Sequence, residues 1–336
     1  MKFAAAFAGQ VVCVAGAGGY IGSTLVKALA QAGPRSLILL DTSEFGLFEI
    51  ERWVEAAYPA VPCECILGSV EDDGLLDEVF SRLRPQAVFH AAAFKHVGLL
   101  ERNPFAAVRN NALASYSLAR TAARHGVLKF VLISSDKAVN PHSVMGLSKR
   151  IAELFTLCVP GTNVIRLGNV IGSTGSVIPL FLEQIEKAQP VLVTHPEASR
   201  YFLSRDEAAT SILAAGAAGC SGMVLLPKCA EPVRIVDLAR FLIGSRAIPI
   251  RFTGLKPGEK LTEEWIGDGE TQIGTVDGPL AVLQTRRLLR GQAEEAVRRL
   301  ATCAEERDGG ALLDVLCALV PEYVPSRLMQ QYAVAV

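Results

Sequence analysis

The chain has 336 residues, half of them hydrophobic, and a formal net charge of −1, which suits one large α/β unit or two closely joined domains. The balanced charge gives no indication of non-specific nucleic-acid binding, and no stretch reaches the roughly 18 apolar residues that a membrane helix needs. We therefore expect a cytoplasmic protein without nucleic-acid or membrane partners, whose eight cysteines remain reduced thiols.

The first 170 residues alternate apolar strands with helices. Residues 10–33 are expected to form a strand, a glycine turn and a helix. Continuous apolar strands separated by helices are typical of a parallel sheet that is covered on both faces. The pattern therefore predicts an α/β fold with a doubly wound parallel sheet of the Rossmann type. Further strands are expected over 35–41, 61–70, 86–93, 129–135 and 162–170, and further helices over 44–57, 71–83, 103–126 and about 146–157.

The rhythm changes after residue 170, where Pro and Gly become frequent and the elements less regular. We expect an NAD-binding Rossmann domain over residues 1–170 and a smaller C-terminal substrate-binding part over 171–336, with later strands able to return to the sheet. Residues 280–330 are expected to form helices rich in Arg and Glu, as a solvated outer layer.

A glycine pattern lies between the first strand and the first helix. Gly16, Gly19 and Gly22 form GxxGxxG, in which glycine allows a sharp turn and the helix N-terminus attracts a pyrophosphate. A purely structural turn is the alternative, but the strand before and the helix after favour a dinucleotide site. Asp41 ends the second strand 19 residues after Gly22, close to the ~20 expected for a ribose-binding carboxylate. Asp41 would repel a 2′-phosphate, so we predict NAD rather than NADP; a helix-capping role is its alternative.

A polar cluster follows the strand over 129–135. Ser135, Asp136 and Lys137 come at its carboxyl end, where ligands bind in such sheets. Met145 and Lys149 share one helical face through their i, i+4 spacing, and Lys149 can reach a nicotinamide ribose. Taken singly, these residues would be a turn pair, a core methionine and a surface lysine. Their joint occurrence favours a catalytic site.

The histidines and cysteines show no spacing typical of metal ligands. Cys63 and Cys65 are close together, but no second pair at zinc spacing accompanies them. We therefore predict no metal site, and we expect the five histidines to be structural, with His96 a candidate at the edge of the site.

Ser135 and Met145-x-x-x-Lys149 resemble the Ser/Thr…Tyr-x-x-x-Lys core of the extended short-chain dehydrogenases/reductases, with Met in the Tyr position. Four longer segments are similar to a narrower group, the bacterial UDP-N-acetylglucosamine 4,6-dehydratases of polysaccharide biosynthesis. The resemblance covers roughly residues 8–267, and it implies NAD as cofactor, a UDP-sugar substrate and assembly as a homo-oligomer. The segments are HAAAFKHVGLLERNPFAAVRNNALASYSLA, SSDKAVNPHSVMGLSKR, RLGNVIGSTGSVIPLFLEQIEKAQPVLVTHPEASRYF and FTGLKPGEKLTEEW.

The same resemblance implies which residues contact the ligands. Tyr20 and Ser69 stand where the family usually has Ser and Asp. Arg200 and Lys256 match positions at the diphosphate, where surface charge is the alternative for each alone, and Asn169 lies near the phosphates. The implied cofactor contacts are Gly16, Gly19, Tyr20, Ile21, Gly22, Asp41, Ser69, Val70, Ala91, Ala92 and Lys149. The implied substrate contacts are Lys95, Asn169, Arg200, Lys256 and, at the uridine ribose, Glu259.

The implied reaction needs proton transfers that a thioether cannot perform. A 4,6-dehydratase oxidises carbon 4 of the sugar, eliminates water across carbons 5 and 6, and reduces carbon 6. Because Met145 cannot accept a proton, we expect Asp136 to act as base toward the 4-hydroxyl and as acid toward the 6-hydroxyl. Lys137 is the candidate base at carbon 5, with a pKa expected to be lowered by burial beside Lys149. Ser135 would hydrogen-bond the developing carbonyl, and the division of roles between Asp136 and Lys137 stays open.

Two other functions remain as alternatives. A nucleotide-sugar 4-epimerase needs only oxidation at carbon 4 and its reversal, so it retains Tyr and needs no Asp–Lys pair. A non-catalytic NAD-sensing protein could lose the Tyr, but it would have little reason to keep Asp136, Lys149 and the sugar-nucleotide segments together. The predicted product of the favoured reaction is UDP-2-acetamido-2,6-dideoxy-4-hexulose.

Overall fold

The computed structural model describes residues 3–173, 175–228, 231–276 and 280–335. Strands and helices alternate regularly up to residue 170, and shorter elements follow. The strands are β1 (Val11–Ala15), β2 (Ser36–Asp41), β3 (Cys63–Leu67), β4 (Ala87–His90), β5 (Lys129–Ser135), β6 (Thr162–Leu167), β7 (Asn169–Val170), β8 (Val191–Val193), β9 (Ser199–Arg200), β10 (Phe202–Leu203), β11 (Val224–Leu226), β12 (Val233–Arg234), β13 (Ile250–Phe252), β14 (Thr271–Val276) and β15 (Leu280–Gln284).

The α-helices flank these strands, and a π-helix (Val108–Leu113) interrupts the long helix predicted over 103–126. The α-helices are α1 (Tyr20–Ala30), α2 (Glu44–Ala57), α3 (Asp73–Leu83), α4 (Val97–Leu100), α5 (Pro104–Ala107), α6 (Ala114–Arg124), α7 (Val144–Thr156), α8 (Val177–Glu186), α9 (Arg205–Ala217), α10 (Ile235–Ile243), α11 (Arg290–Glu306), α12 (Gly309–Leu319) and α13 (Arg327–Ala335).

A nine-stranded sheet organises the described residues, in the order β14-β15-β11-β6-β5-β4-β1-β2-β3. The seven neighbouring strands β11, β6, β5, β4, β1, β2 and β3 are parallel to one another. At the β11 edge, β15 pairs antiparallel with β11, and β14 pairs antiparallel with β15. Successive side chains of a strand point to opposite faces, so Val12 and Val14 enter one apolar layer while Cys13 and Ala15 enter the other. The predicted doubly wound parallel sheet is therefore confirmed.

The carboxyl ends of β1 and β4 form the crevice in which this fold binds ligands. From β1 the chain proceeds to β2 on one side, and from β4 it proceeds to β5 on the other side. Such a reversal of strand order leaves the two strand ends uncovered by a connection. The glycine turn after β1 and the Ala91–Ala92 pair after β4 meet at this place.

The chain after residue 170 is divided between two cores. A small separate core contains Phe181 of α8, Val191 of β8 and Val236 of α10. In contrast, β11 and β15 rejoin the main sheet, and the alanines of α9 pack on one of its faces. The expected return to the sheet therefore occurs, and the boundary at 170/171 does not separate two independent cores.

The last helices are more deeply packed than the sequence analysis expected. Residues 280–284 form β15 rather than a helix. Leu300 of α11 and Leu312 and Leu316 of α12 are fully buried in the same core as α6 and α7. Only the outer faces of these helices, where most of their Arg and Glu residues lie, form the solvated layer that was predicted.

Candidate active site

The glycine turn brings the backbone close to the loop after β4. Gly16 has a φ of 81°, and a Cβ on it would lie 2.5 Å from the Ala92 backbone nitrogen. A Cβ on Gly22 would lie 1.8 Å from the Gly16 carbonyl oxygen. Glycine is therefore required at both positions. The N-terminus of α1 has Gly19 as its cap without a side-chain hydrogen bond, so the first backbone N–H groups of the helix are available to an anion.

Tyr20 connects this turn to the second half of the chain. Its hydroxyl donates a hydrogen bond to the Ile171 carbonyl (2.6 Å) and accepts one from Arg205 Nε (3.1 Å). The Arg205 guanidinium also stacks on the Tyr20 ring at 4.6 Å. The small serine that the family usually has at this position could not make this bridge, which ties the glycine turn to the segment after β7.

The other residues predicted to contact the cofactor lie along the same edge of the sheet. Asp41 accepts hydrogen bonds from the backbone N–H of Gly18 (2.8 Å) and of Ser43 (2.9 Å). The chain from Ser69 to Val70 directly follows β3, next to the end of β2. Asp41 thus lies beside the glycine turn, where a ribose would follow a pyrophosphate, and it keeps free lone pairs for hydroxyl donors.

The polar cluster after β5 is assembled as a chain of contacts. Asp136 is fully buried, and its Oδ1 accepts hydrogen bonds from Ser135 Oγ (2.9 Å) and Lys137 Nζ (2.9 Å). Lys137 Nζ also donates to Asn169 Oδ1 (3.0 Å) and lies 3.6 Å from Glu263 Oε1. Asp136 Oδ2 is buried without a hydrogen-bond partner among the described residues. Asp136 Oδ2 can therefore accept a hydrogen bond or a proton from a ligand.

The expected fall in the Lys137 pKa is wrong. Burial acts in the expected direction, but the carboxylates of Asp136 and Glu263 outweigh it and raise the pKa of Lys137 above its usual value. The reason is that the ammonium contacts these two acids and Asn169, rather than Lys149. In this state Lys137 is a cation and cannot act as a base.

Met145 and Lys149 are both buried on α7. Ser143 caps this helix by accepting from the Gly146 N–H (3.0 Å), and the Met145 side chain belongs to an apolar core. Lys149 Nζ donates to the Ile133 carbonyl (2.7 Å) on β5. Burial lowers the pKa of Lys149 to about 8, against the opposing effect of Glu153. The two residues lie as the spacing predicted, and the surface-lysine alternative is excluded.

The residues predicted to bind the substrate are not equally available. The Arg200 guanidinium donates to the carbonyls of Ser199 (2.7 Å), Leu261 (3.0 Å) and Lys260 (2.9 Å). Its Nε lies 3.7 Å from Glu263 Oε1, so three of the five N–H donors are used by backbone carbonyls and a fourth faces a carboxylate. These contacts assign Arg200 mainly to holding the 260–263 segment, and the diphosphate contact remains a prediction.

Lys256 and Glu259 form one turn. The Glu259 carboxylate accepts from the Lys256 backbone N–H (3.1 Å), and the Glu259 N–H donates to the Lys256 carbonyl (3.0 Å). The Lys256 side chain is exposed, as is that of Lys95. Partial burial lowers the pKa of Lys95, and Glu259 has a structural contact within its turn.

Several residues of the site were missed by the sequence analysis. Asn111, in the π-helix, exchanges hydrogen bonds with the Phe94 backbone (2.8 and 3.0 Å) and donates to Ser148 Oγ (2.9 Å). A π-helical segment frequently marks a functional site, but no local sequence pattern predicts one. Glu101 is fully buried and accepts from the Val144 N–H (2.6 Å) at the start of α7. The third missed residue is Glu263.

A buried ionic network lies directly behind the site. Arg166 of β6 binds both oxygens of Glu153 (2.9 and 2.8 Å) and both oxygens of Glu270 (2.6 and 2.7 Å). Glu153 also accepts from Ser134 Oγ (2.6 Å), and Arg150 contacts both acids at 3.1 Å. Arg166 stands between apolar residues in the strand segment VIRL. Because arginine is almost never fully buried without a partner, this pattern could have predicted a buried ion pair.

The described ranges contain neither a metal-binding cluster nor a membrane-spanning helix. Those residues contain no group of three or more His, Cys, Asp or Glu that could hold a metal ion. None of their helices has the length and apolarity that crossing a lipid bilayer requires. Seven cysteines are free thiols, and Cys229 lies outside the described residues. His96 lies next to Gly175, whose added Cβ would be 2.8 Å from His96 Cε1.

Comparison with known proteins identifies the family. Residues 12–282 match the polysaccharide biosynthesis protein family. The capsular polysaccharide biosynthesis protein CapD of Staphylococcus aureus is 42% identical over 273 residues, which are 78% of this chain and 46% of CapD. The chain belongs to this family, and it spans less than half the length of that relative. The resemblance to the extended short-chain dehydrogenases/reductases of polysaccharide biosynthesis is confirmed.

Solved structures agree with the fold. Pen from Bacillus thuringiensis superposes with a TM-score of 0.75 at 25% identity, over 88% of this chain and 98% of Pen. DesIV, a dTDP-glucose 4,6-dehydratase from Streptomyces venezuelae solved with NAD, gives a TM-score of 0.69 at 20% identity over 77% of this chain and 89% of DesIV. At that identity the second likeness shows the fold alone.

Proposed function

We propose that this member of the polysaccharide biosynthesis protein family is an NAD-dependent nucleotide-sugar 4,6-dehydratase that acts on UDP-N-acetylglucosamine. The observation that carries the proposal is the ion pair between the buried Asp136 and the partly buried Lys137 at the carboxyl end of β5. Ser135 hydrogen-bonds Asp136, and Asn169 hydrogen-bonds Lys137. A 4-epimerase has no elimination step and no need for this pair. The buried Met145 beside it supplies no titratable group, so proton transfer falls to the pair.

The residues around the crevice fit NAD. The glycine turn and the N-terminus of α1 would hold the pyrophosphate, Asp41 the adenosine ribose, and Lys149 the nicotinamide ribose. Ser69 and Val70 would line the adenine, and Ala91 and Ala92 the floor of the crevice. When bound, NAD supplies the removal of hydride from carbon 4 of the sugar and its return to carbon 6.

Asp136 makes the first proton transfer in this proposal. Its free Oδ2 accepts the proton of the 4-hydroxyl while Ser135 Oγ hydrogen-bonds the carbonyl oxygen that develops. Neutral Asp136 no longer holds the Lys137 ammonium, so the Lys137 pKa falls at that moment because one of the two carboxylates that raise it is lost. Lys137 can then act as base at carbon 5, and Asp136 returns its proton to the departing 6-hydroxyl.

The nucleotide end of the substrate would occupy the segments after β7. Lys95, Lys256 and Asn169 are proposed to contact the diphosphate, with Glu259 at the uridine ribose. Arg200 contributes chiefly by fixing the loop between β13 and β14. We also propose that the protein forms a homo-oligomer, as the family resemblance implies, and that it works in the cytoplasm, where its cysteines would stay reduced.

We predict that the cofactor is NAD rather than NADP. Asp41 would repel a 2′-phosphate, and no Arg or Lys lies in the segment DTSEFG that follows β2 to compensate. Titration of the cofactor-free protein with each nucleotide, followed by intrinsic fluorescence or calorimetry, gives both dissociation constants. Tighter binding of NADP would refute the role of Asp41.

The reaction itself is tested with purified protein and UDP-N-acetylglucosamine. We expect UDP-2-acetamido-2,6-dideoxy-4-hexulose, identified by mass and NMR. In heavy water the product should carry deuterium at carbon 5 and none at carbon 6, because a protein base exchanges the first position only. A label placed at carbon 4 should be recovered at carbon 6. Formation of the 4-epimer would favour the epimerase, and the absence of any product would favour the NAD-sensing alternative.

A further inference from the structure

Glu263 is a buried carboxylate that faces the site but has no role in the steps above. It lies in the loop between β13 and β14, with a side chain only 4% exposed. Its Oε1 is 3.6 Å from Lys137 Nζ and 3.7 Å from Arg200 Nε, and its Oε2 is buried without a hydrogen-bond partner among the described residues. Burying a carboxylate oxygen without a hydrogen-bond partner costs free energy, so the presence of Glu263 at this position calls for an explanation.

The surroundings of Lys137 define what Glu263 can do. An ammonium has three N–H donors, and those of Lys137 have Asp136 and Asn169 at hydrogen-bond distance. The remaining donor is the one available to Glu263, the nearest further acceptor that the structure gives it. Arg200, anchored to three backbone carbonyls, keeps the Glu263 carboxylate at this distance.

The proposed reaction leaves one proton without a destination. Lys137 is protonated in the resting site, and Asp136 becomes protonated when it takes the proton of the 4-hydroxyl. Before Lys137 can act as base at carbon 5, its own proton must move to an acceptor. Bound substrate would restrict the access of water, so an acceptor within the protein is needed.

We propose that Glu263 is this acceptor and acts through Lys137 as a positioning and proton-holding residue; this rests on the proposed function. When Asp136 is neutral, one N–H bond of Lys137 breaks and an O–H bond forms on Glu263. The neutral amine then removes the carbon-5 proton, while the proton on Asp136 leaves with the 6-hydroxyl as water. Lys137 later returns a proton to carbon 5 and recovers its own from Glu263, so the site is restored.

Other charged groups near Glu263 do not replace it. Arg200 is a cation, and Lys260 donates to the Val139 carbonyl (2.8 Å) and to Glu264 (3.1 Å). Burial and then Lys260 lower the pKa of His142 below its ordinary value, against the opposing charges of Glu263 and Glu264. Asp136 itself is already protonated at this step. Among these groups, Glu263 alone is both anionic and next to Lys137.

Glu263→Gln tests the proposal, because it keeps the size of the side chain and removes the proton acceptor. We expect turnover at pH 7 to fall about 10²-fold, as for loss of a general base, with UDP-sugar binding unchanged. Turnover should recover as the pH rises, since solvent must then deprotonate Lys137, whereas the wild type should vary little over the same range. Glu263→Asp should restore most of the turnover and the wild-type profile.

The adjacent Glu264 offers a matched control. Its side chain is 50% exposed and paired with Lys260, so Glu264→Gln should leave turnover and its pH profile unchanged. Wild-type turnover and an unchanged pH profile in Glu263→Gln would overturn the proposal. A loss of turnover that is equal at every pH, or one that Glu263→Asp does not reverse, would also overturn it, because it would indicate a merely structural role.

A second measurement separates this proposal from the proposed function. Competitive acetylation of Lys137 across pH, read by mass spectrometry, reports the titration of its amine without any substrate. Removing the Glu263 charge should move the Lys137 labelling curve to lower pH, and Glu264→Gln should not. If the wild type makes no product, the proposed reaction fails, and an unchanged labelling curve in Glu263→Gln then overturns the Lys137–Glu263 link itself.

Discussion

Asp136→Asn should lower turnover of UDP-N-acetylglucosamine by about 10²–10⁴-fold, the range expected when a general acid or base is lost. The amide can keep the hydrogen bonds of Oδ1 with Ser135 and Lys137, but it cannot accept the proton of the 4-hydroxyl. The buried Met145 cannot take over. Steady-state rates at saturating substrate measure the change.

Binding and folding must be shown to survive this substitution. Calorimetric titration with UDP should give a dissociation constant close to that of the wild type, because Asp136 lies at the sugar and not at the nucleotide in our proposal. Asp237→Asn, on an exposed helix face, is the matched control and should keep full turnover. Near-normal turnover of Asp136→Asn would mean that the proton-transfer assignment is wrong.

Arg166→Met should destabilise the protein by about 3–5 kcal/mol, the cost of breaking a buried ion pair and leaving charge unpaired. All five N–H donors of Arg166 are used, four by Glu153 and Glu270 and one by the Trp265 carbonyl (3.1 Å). Without the guanidinium, two buried carboxylates would share Arg150 as their cation, besides neutral donors such as Ser134 Oγ and Thr285 Oγ1. Urea denaturation followed by circular dichroism measures the free energy of unfolding.

The comparison variants separate charge from geometry. Arg166→Lys keeps the charge but loses the planar fork that binds two carboxylates at once, so it should lie between Arg166→Met and the wild type. Arg298→Met removes an exposed pair with Glu295 and should change stability little. Equal stability of Arg166→Met and the wild type would show that the network contributes nothing net.

The same network predicts how stability depends on pH. Burial raises the pKa of Glu270, but hydrogen bonds and charge from Arg166 outweigh it and lower this pKa to about 2. A carboxyl whose pKa is lower in the folded state stabilises the fold above its unfolded pKa, and this contribution is lost as the pH falls toward the folded value. The wild type should therefore lose this contribution between about pH 4.5 and pH 2.

Much of the fold and part of the site follow from local patterns. Strand and helix periods, together with Gly16 and Gly22, predicted the parallel sheet and the turn, because steric limits on the backbone act within a few residues. The i, i+4 spacing of Met145 and Lys149 placed both on α7. The order of the strands places Asp41, the glycine turn and the segment after β5 along one edge, as expected for this topology.

The ionisation of the site depends in part on a residue distant in sequence. Lys137 was expected to have a lowered pKa because burial alone disfavours charge, but the neighbouring Asp136 and then Glu263, 126 positions later in the chain, raise it. The same holds for Arg200, whose guanidinium is bound by the carbonyls of Lys260 and Leu261. Neither the contact of Lys137 with Glu263 nor the contacts of Arg200 with these carbonyls have a signature in the local sequence.

The sequence by itself determined the alternation of strands and helices, the glycine turn, the cluster of polar residues after β5 and the family. These depend on residue type and short-range spacing, which are read directly along the chain. Only the tertiary structure decided that Glu263 faces Lys137, that Glu153, Arg166 and Glu270 form one buried network, and that the last helices pack onto the main core. Charge and burial act through space, so their effects depend on which segments the fold brings together.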